Sequence, residues 1–226
     1  MTIHCYYGSP KATGKEPKTA RTHLSEEETS VRSRTLLGAG ITFISLFLLT
    51  RSFAEDGGKR ASTLKERTDG MKLETATFAA GCFWHVEDTF RTVEGIVSTE
   101  VGFEGGKFDH PTYRDVCTDR TGHAESVKIT YDPTKVSYRK LLEAFFNLHD
   151  PTTVDRQGPD VGTQYRSVIF YASPEQKELA LAYKAELEKD HRYSRSIATE
   201  IVPTSTFWRA EEYHQQYYEK ERGESR

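Results

Sequence analysis

Apolar positions recur with a period along residues 72–220 of the chain and with none along the first 35. Lys72–Ala79 reads as a strand, broken by Gly81-Cys82. Phe83, Val86, Phe90 and Val93 then follow a helical spacing over Phe83–Thr92. Ile96–Gly102 is a β-branched strand, after which a glycine-rich loop through Gly105-Gly106 runs to about Gly122. Val127, Ile129 and Tyr131 alternate with Ser126, Lys128 and Thr130, the pattern of a half-buried strand over Glu125–Tyr131. Ser137 caps a helix whose apolar face is Leu141, Leu142, Phe145 and Leu148. A long loop, Asp150–Tyr165, leads into a strand at Ser167–Tyr171. Ser173-Pro174-Glu175-Gln176 is a capping box with proline at the first helical position, opening a helix to about Lys189. A strand at Ala198–Val202 and an aromatic-rich helix at Ala210–Lys220 complete the set. The order β-α-β-β-α-β-α-β-α predicts an α+β fold with a mixed sheet and flanking helices.

The organised part thus begins near residue 71, and residues 71–226 are expected to form one catalytic domain. Residues 1–70 are expected to be a non-globular extension, polar and aperiodic except for an uncharged run at 36–50 (LLGAGITFISLFLLT). That run is shorter than the ~20 residues of a spanning helix. An export leader, a short membrane anchor, and a stretch outside the working protein are three alternatives of equal standing. The last is suggested by methionines at positions 1 and 71 alone. It implies a cytoplasmic protein, the other two an exported or anchored one.

Charge and cysteine content narrow the function. The 226 residues carry a formal charge of −3; there are 11 basic and 8 acidic side chains before residue 71, and 20 and 26 after it. An acidic domain is a poor partner for a phosphate backbone, so no nucleic acid is expected. Three cysteines, Cys5, Cys82 and Cys117, form neither a disulfide framework nor a zinc quartet, and no metal is expected. Cys82 lies where a strand gives way to a helix. Unpaired N–H groups and the positive end of a helix dipole stabilise a thiolate there. A cysteine also simply fills cores, and Phe83 and Trp84 would pack there too. Cys82 with His123 and Asp150 or Asp160 would formally suit a cysteine hydrolase. Tyr113, Asp160 and Tyr165 stand in the two long loops.

Several motifs occur together and in order: Thr77-Phe78 before Gly81-Cys82-Phe83-Trp84 and Glu87 after it, then Gly105-Gly106 and Pro111-Thr112-Tyr113. Thr121-Gly122-His123-Ala124-Glu125, Tyr131-Asp132-Pro133 and His149-Asp150-Pro151-Thr152 follow. Asp160-x-Gly162-Thr163-Gln164-Tyr165-Arg166-Ser167 and Ala210-Glu211-Glu212-Tyr213-His214-Gln215 close the series. Over about residues 72–218 this set resembles the A class of peptide-methionine sulfoxide reductases. The resemblance implies a ferredoxin-like core with a shallow pocket around Cys82. It implies that the Cys82 thiolate attacks the S epimer of methionine sulfoxide, in proteins and as the free amino acid, leaving a sulfenic acid. Glu125 is implied as the acid that protonates the sulfoxide oxygen, which needs a raised pKa that burial supplies. Tyr113 and Tyr165 are implied to hydrogen-bond that oxygen or a water, with Asp160 as a supporting carboxylate. Phe83 and Trp84 are implied to clasp the S-methyl group.

Two departures from the family pattern carry expectations of their own. Many members have resolving cysteines in a C-terminal tail, whereas here no cysteine follows Cys117. The expected reductant is therefore an external thiol, thioredoxin or glutathione with glutaredoxin, acting on a monomer that binds no cofactor. His85 stands where glycine is usual; one turn from Cys82, it is expected either to lower the thiol pKa or only to narrow the pocket mouth.

Overall fold

The computed structural model describes residues 72–223, so the predicted extension, its apolar run and Cys5 lie outside the described residues. β1 (Glu74–Ala80) is central to a sheet because its last five residues are buried and its small alanines let both faces be covered. Antiparallel neighbours flank it, with Phe78 opposite Val127 on one side and Ile169 on the other. The remaining long elements are α1 (Phe83–Arg91), β2 (Ile96–Glu104), α2 (Tyr113–Val116), β3 (Ala124–Tyr131) and α3 (Tyr138–Leu148). They are followed by β4 (Arg156–Gln157), β5 (Asp160–Val161), β6 (Ser167–Tyr171), α4 (Pro174–Lys189), β7 (Glu200–Pro203), β8 (Trp208–Arg209) and α5 (Tyr217–Glu221).

The large sheet has the order β7-β6-β1-β3-β2-β8. Its inner four strands, joined as β1-α1-β2-β3-α3-β6, are all antiparallel to their neighbours, which is the ferredoxin-like arrangement. β7 adds in parallel to β6 after the α4 crossover, and this makes the sheet mixed as expected. α1 and α3 share a core with one face of the sheet. Phe78 stacks on Phe90 at 5.4 Å and on Phe145 at 5.1 Å, and all three rings are fully buried. Each such ring contributes about 1.5–3 kcal/mol of burial free energy.

Capping follows the sequence with one change. Ser173 accepts the Gln176 N–H, but the Gln176 side chain accepts from the Ala172 N–H, so only half of the expected box forms.

Three stretches differ from expectation. The glycine-rich loop contains α2, closed by a reciprocal Thr112–Asp115 capping box. The loop 150–165 contains the β4–β5 hairpin and a 3₁₀ turn at Thr163–Tyr165, and it buries Gln164 and Tyr165. The helix expected at Ala210–Lys220 is instead a 3₁₀ turn (Glu212–His214), a left-handed Gln216 and then α5. The reason is tertiary. The Gln215 amide accepts the Val101 N–H at 2.9 Å and donates to the Val101 carbonyl at 2.9 Å, binding the chain to β2 as a strand would. Just before it, β8 lies against Gly102, where a Cβ would strike the Trp208 carbonyl oxygen. Among the described residues no helix is long and apolar enough to cross a membrane.

Candidate active site

β1 ends at Ala80, and Gly81 turns the chain with φ +89°, a conformation that excludes side chains; a Cβ there would also strike Gln157. The turn places Cys82 at the N-cap of α1, where its carbonyl accepts the His85 and Val86 N–H groups at 3.2 and 3.3 Å. Cys82 is a half-buried free thiol whose side chain makes no cap hydrogen bond, and the Trp84 and His85 backbone N–H groups near it, the donors that a helix start should supply, act to lower its pKa. They do not win. Burial first, and the Glu125 charge second, push the thiol up to about 12, with Asp160 adding to the effect. The helix start favours a thiolate, while burial and two carboxyl groups near the sulfur favour the thiol, so position alone does not set its state. His85 acts on the sulfur through its backbone N–H, and its side chain is exposed.

Glu125 sits on β3 opposite Phe103 and is 2% exposed. Its Oε2 accepts the Phe83 N–H at 3.0 Å, so it shares the start of α1 with Cys82. Tyr113, at the first turn of α2, has its hydroxyl within electrostatic reach of Glu125 and Tyr165 and hydrogen-bonded to the Cys117 side chain; burial above all holds the phenol in its protonated form. Tyr165 ends the 3₁₀ turn and is buried. Asp160, on β5, is half-buried and raised in pKa by that burial. The structure thus brings Cys82, Glu125, Tyr113, Asp160 and Tyr165 to one place.

An aromatic wall stands beside the sulfur. Phe83 is buried beneath it, 6.3 Å from Tyr113 and 5.1 Å from His214. Trp84 is partly exposed, lies flat on Tyr217 at 3.8 Å and 8°, and donates its indole N–H to His214 Nδ1 at 3.0 Å. That bond puts the remaining proton of a neutral His214 on Nε2. Burial keeps the ring neutral, pushing it down to about 4. Glu211 accepts the Tyr113 N–H at 3.0 Å. Tyr218 is exposed, and its phenol lies within electrostatic reach of Cys82 and Asp160. Sequence reasoning missed Glu211, His214, Tyr217 and Tyr218 as site residues. The signal was the aromatic density of 213–218, hidden because a continuous helix would have turned those rings to different faces.

Cys82 and His123 do not form the pair of a cysteine hydrolase. His123 accepts the Gly106 N–H on Nδ1 and donates from Nε2 to the Phe108 carbonyl, so both ring nitrogens serve the loop. His149 is held by the Phe145 carbonyl and Ser167. The cysteine hydrolase alternative loses its base.

Comparison with known proteins agrees with this geometry. The sequence profile described as Peptide methionine sulfoxide reductase matches residues 74–226. The chain is 57% identical over 170 residues to the peptide methionine sulfoxide reductase MsrA of Methanosarcina mazei, covering 73% of this chain and 81% of that one. With the MsrA of Acidobacterium capsulatum it shares 61% over 148 residues, 66% of this chain and 95% of the other. Among solved structures, reduced Mxr1 from Saccharomyces cerevisiae superposes with a TM-score of 0.64 at 36% identity, covering 69% and 89% of the two chains. Methionine sulfoxide reductase A of Corynebacterium diphtheriae gives 0.60 at 40% identity, covering 67% and 76%. The chain belongs to the peptide methionine sulfoxide reductase family. It is an oxidoreductase whose activity is the reduction of methionine sulfoxide, a repair of oxidised proteins.

Proposed function

We propose that Cys82 is the nucleophile of this reduction and Glu125 its acid. The observation that carries the reading is the shared helix start. Cys82 caps α1, Glu125 is held on the next N–H of the same turn, and the two groups are electrostatically coupled. A sulfoxide sulfur becomes electrophilic as its oxygen gains a proton, so an acid and a sulfur nucleophile must act side by side. Cys82 Sγ attacks the sulfoxide sulfur while Glu125 takes up the thiol proton and delivers it to the oxygen. Oxygen passes to Cys82, giving a sulfenic acid and the thioether; sulfur in the substrate gains two electrons and Cys82 loses two. Two external thiols then restore Cys82, releasing water and one disulfide.

The electrostatics of the free enzyme fit this order of events. A thiolate beside a carboxylate is disfavoured, as the rise of Cys82 to about 12 records. The anion on sulfur is therefore formed when the proton of the pair is handed to substrate, and its charge disperses as the new bond forms. Tyr113 and Tyr165 donate hydrogen bonds to the oxygen or to a water, and Asp160 supports from β5. Trp84 offers an apolar face to the S-methyl group, backed by Phe83, and this asymmetry selects the S epimer. Residues 71–226 are the catalytic unit. Oxidised proteins and free methionine sulfoxide are substrates, and the electron source is thioredoxin or glutathione with glutaredoxin.

The experiment is a single-turnover reduction of a peptide carrying the S or the R sulfoxide. Wild-type enzyme should produce one equivalent of methionine and one of Cys82 sulfenic acid from the S epimer alone. Turnover of the R epimer, or methionine formed without oxidation of Cys82, would refute the assignment.

A further inference from the structure

Glu87 closes the Gly-Cys-Phe-Trp-x-x-Glu run, yet the reduction itself gives it no task. It is 1% exposed on α1, a position where a carboxylate is costly unless its oxygens are satisfied. Neutral donors satisfy them. Oε1 accepts from Thr99 Oγ1 at 2.8 Å and from Gln216 Nε2 at 3.0 Å, and Oε2 accepts the Gln216 backbone N–H at 2.8 Å. Two of these three bonds go to one residue. That residue is left-handed, with φ 49° and ψ 44°, which a non-glycine side chain disfavours and which persists only where neighbours hold it.

What Gln216 turns is the stretch that stacks on Trp84. Tyr217, the next residue, is the ring on which Trp84 lies, and Tyr218 follows with its phenol in reach of Cys82 and Asp160. Trp84 and Glu87 are one turn apart on α1, so Trp84, Tyr217, Gln216 and Glu87 form a closed circuit. The ion pairs of Arg222 with Asp88 and of Arg91 with Glu219 tether α5 beyond the turn, and Gln215 ties the chain to β2 just before it, while the Gln216 N–H itself is held by Glu87.

We propose that Glu87 is a positioning residue for the sulfoxide pocket. Through Gln216 it fixes the left-handed turn that seats Tyr217 on Trp84 and brings Tyr218 to the mouth. This rests on the reading that Trp84 lines the substrate site.

The test uses Glu87→Ala and Glu87→Gln in a Trp208→Phe background, since the chain has two tryptophans and Trp84 is then the sole emitter. KM for a sulfoxide peptide, the reductase rate at saturation, and acrylamide quenching of Trp84 are measured together. Glu87→Ala should raise KM by about ten-fold, change the saturated rate far less, and increase quenching as Tyr217 leaves the indole. Glu87→Gln keeps one acceptor and should fall between. Unchanged KM and quenching in a folded Glu87→Ala would overturn the proposal, as would a fall in rate at constant KM. If Glu87→Ala does not fold, the same unchanged values in Glu87→Gln overturn it. A parent enzyme inert toward sulfoxide would instead refute the substrate reading, while the quenching result would still decide the role of Glu87 in the turn.

Discussion

Glu125 and Phe83 are 42 residues apart in sequence and joined by one hydrogen bond, the carboxylate oxygen accepting the Phe83 N–H at 3.0 Å. The bond uses one of the orphan donors of α1 and so fixes the carboxyl group to the turn that Cys82 caps. Movement of the helix start would carry nucleophile and acid together.

Loss of the nucleophile should be absolute. Cys82→Ser is expected to show no sulfoxide reduction, and Cys5→Ser to keep the wild-type rate. Methionine release from a sulfoxide peptide, followed by chromatography, distinguishes them; substantial activity in Cys82→Ser would remove this residue from the mechanism.

Opposite changes are expected in two properties of Glu125→Gln. The reductase step should slow by ~10²-fold or more as the acid is lost. The Glu125 charge helps to raise the Cys82 thiol, so removing it should lower that pKa and speed iodoacetamide alkylation of Cys82 at a fixed pH near 8. Slow alkylation in the variant would show that Glu125 does not set the state of the thiol.

Stability should fall as the pH drops from about 6.5 to about 4. Burial pushes both His149 and His214 down to about 4, below the unfolded value, so the unfolded chain binds protons first over this window. The stabilisation is fully present above pH 6.5 and is lost as pH falls through the folded values. The slope is at most ~1.4 kcal/mol per pH unit for each histidine. Urea midpoints at pH 7, 5.5 and 4.5 measure it, and His214→Gln should flatten the curve.

Cys117→Ser should sustain multiple turnovers with dithiothreitol or with glutaredoxin and glutathione. Cys117 is hydrogen-bonded by Tyr113 and both described cysteines are free thiols. A disulfide needs Cα atoms within ~7 Å. A stoichiometric Cys82–Cys117 bond after one equivalent of methionine sulfoxide would contradict this expectation.

The parts of the fold that a short-range period can encode were readable from sequence. α1, β3 and α3 bury an apolar face whose spacing repeats at 2 or 3.6, whereas α4 was marked by its Ser173-Pro174 start, its Leu179 and Leu181 being exposed. Cys82, Glu125, Tyr113, Asp160 and Tyr165 were readable as a group only through their resemblance to a known family, because five separate elements bring them together. The C-terminal segment was not readable. Its helical pattern is broken by hydrogen bonds from Gln215 to β2 and from Gln216 to Glu87, contacts more than a hundred residues apart that local propensity cannot register. The protonated state of Cys82 was missed for the same reason: the helix start is local, and the carboxyl groups facing it are not.

That protonated state has a chemical consequence for an enzyme working among oxidants. Peroxide reacts with thiolate, and burial with the neighbouring carboxyl groups holds Cys82 in its thiol form at rest. Cys82 is thus nearly blind to the free oxidant that damages methionine, and answers to the damage once a sulfoxide has taken up the proton. The desolvation and neighbouring carboxyl groups that make it a sluggish thiol at rest slow the first step of its oxidation by peroxide.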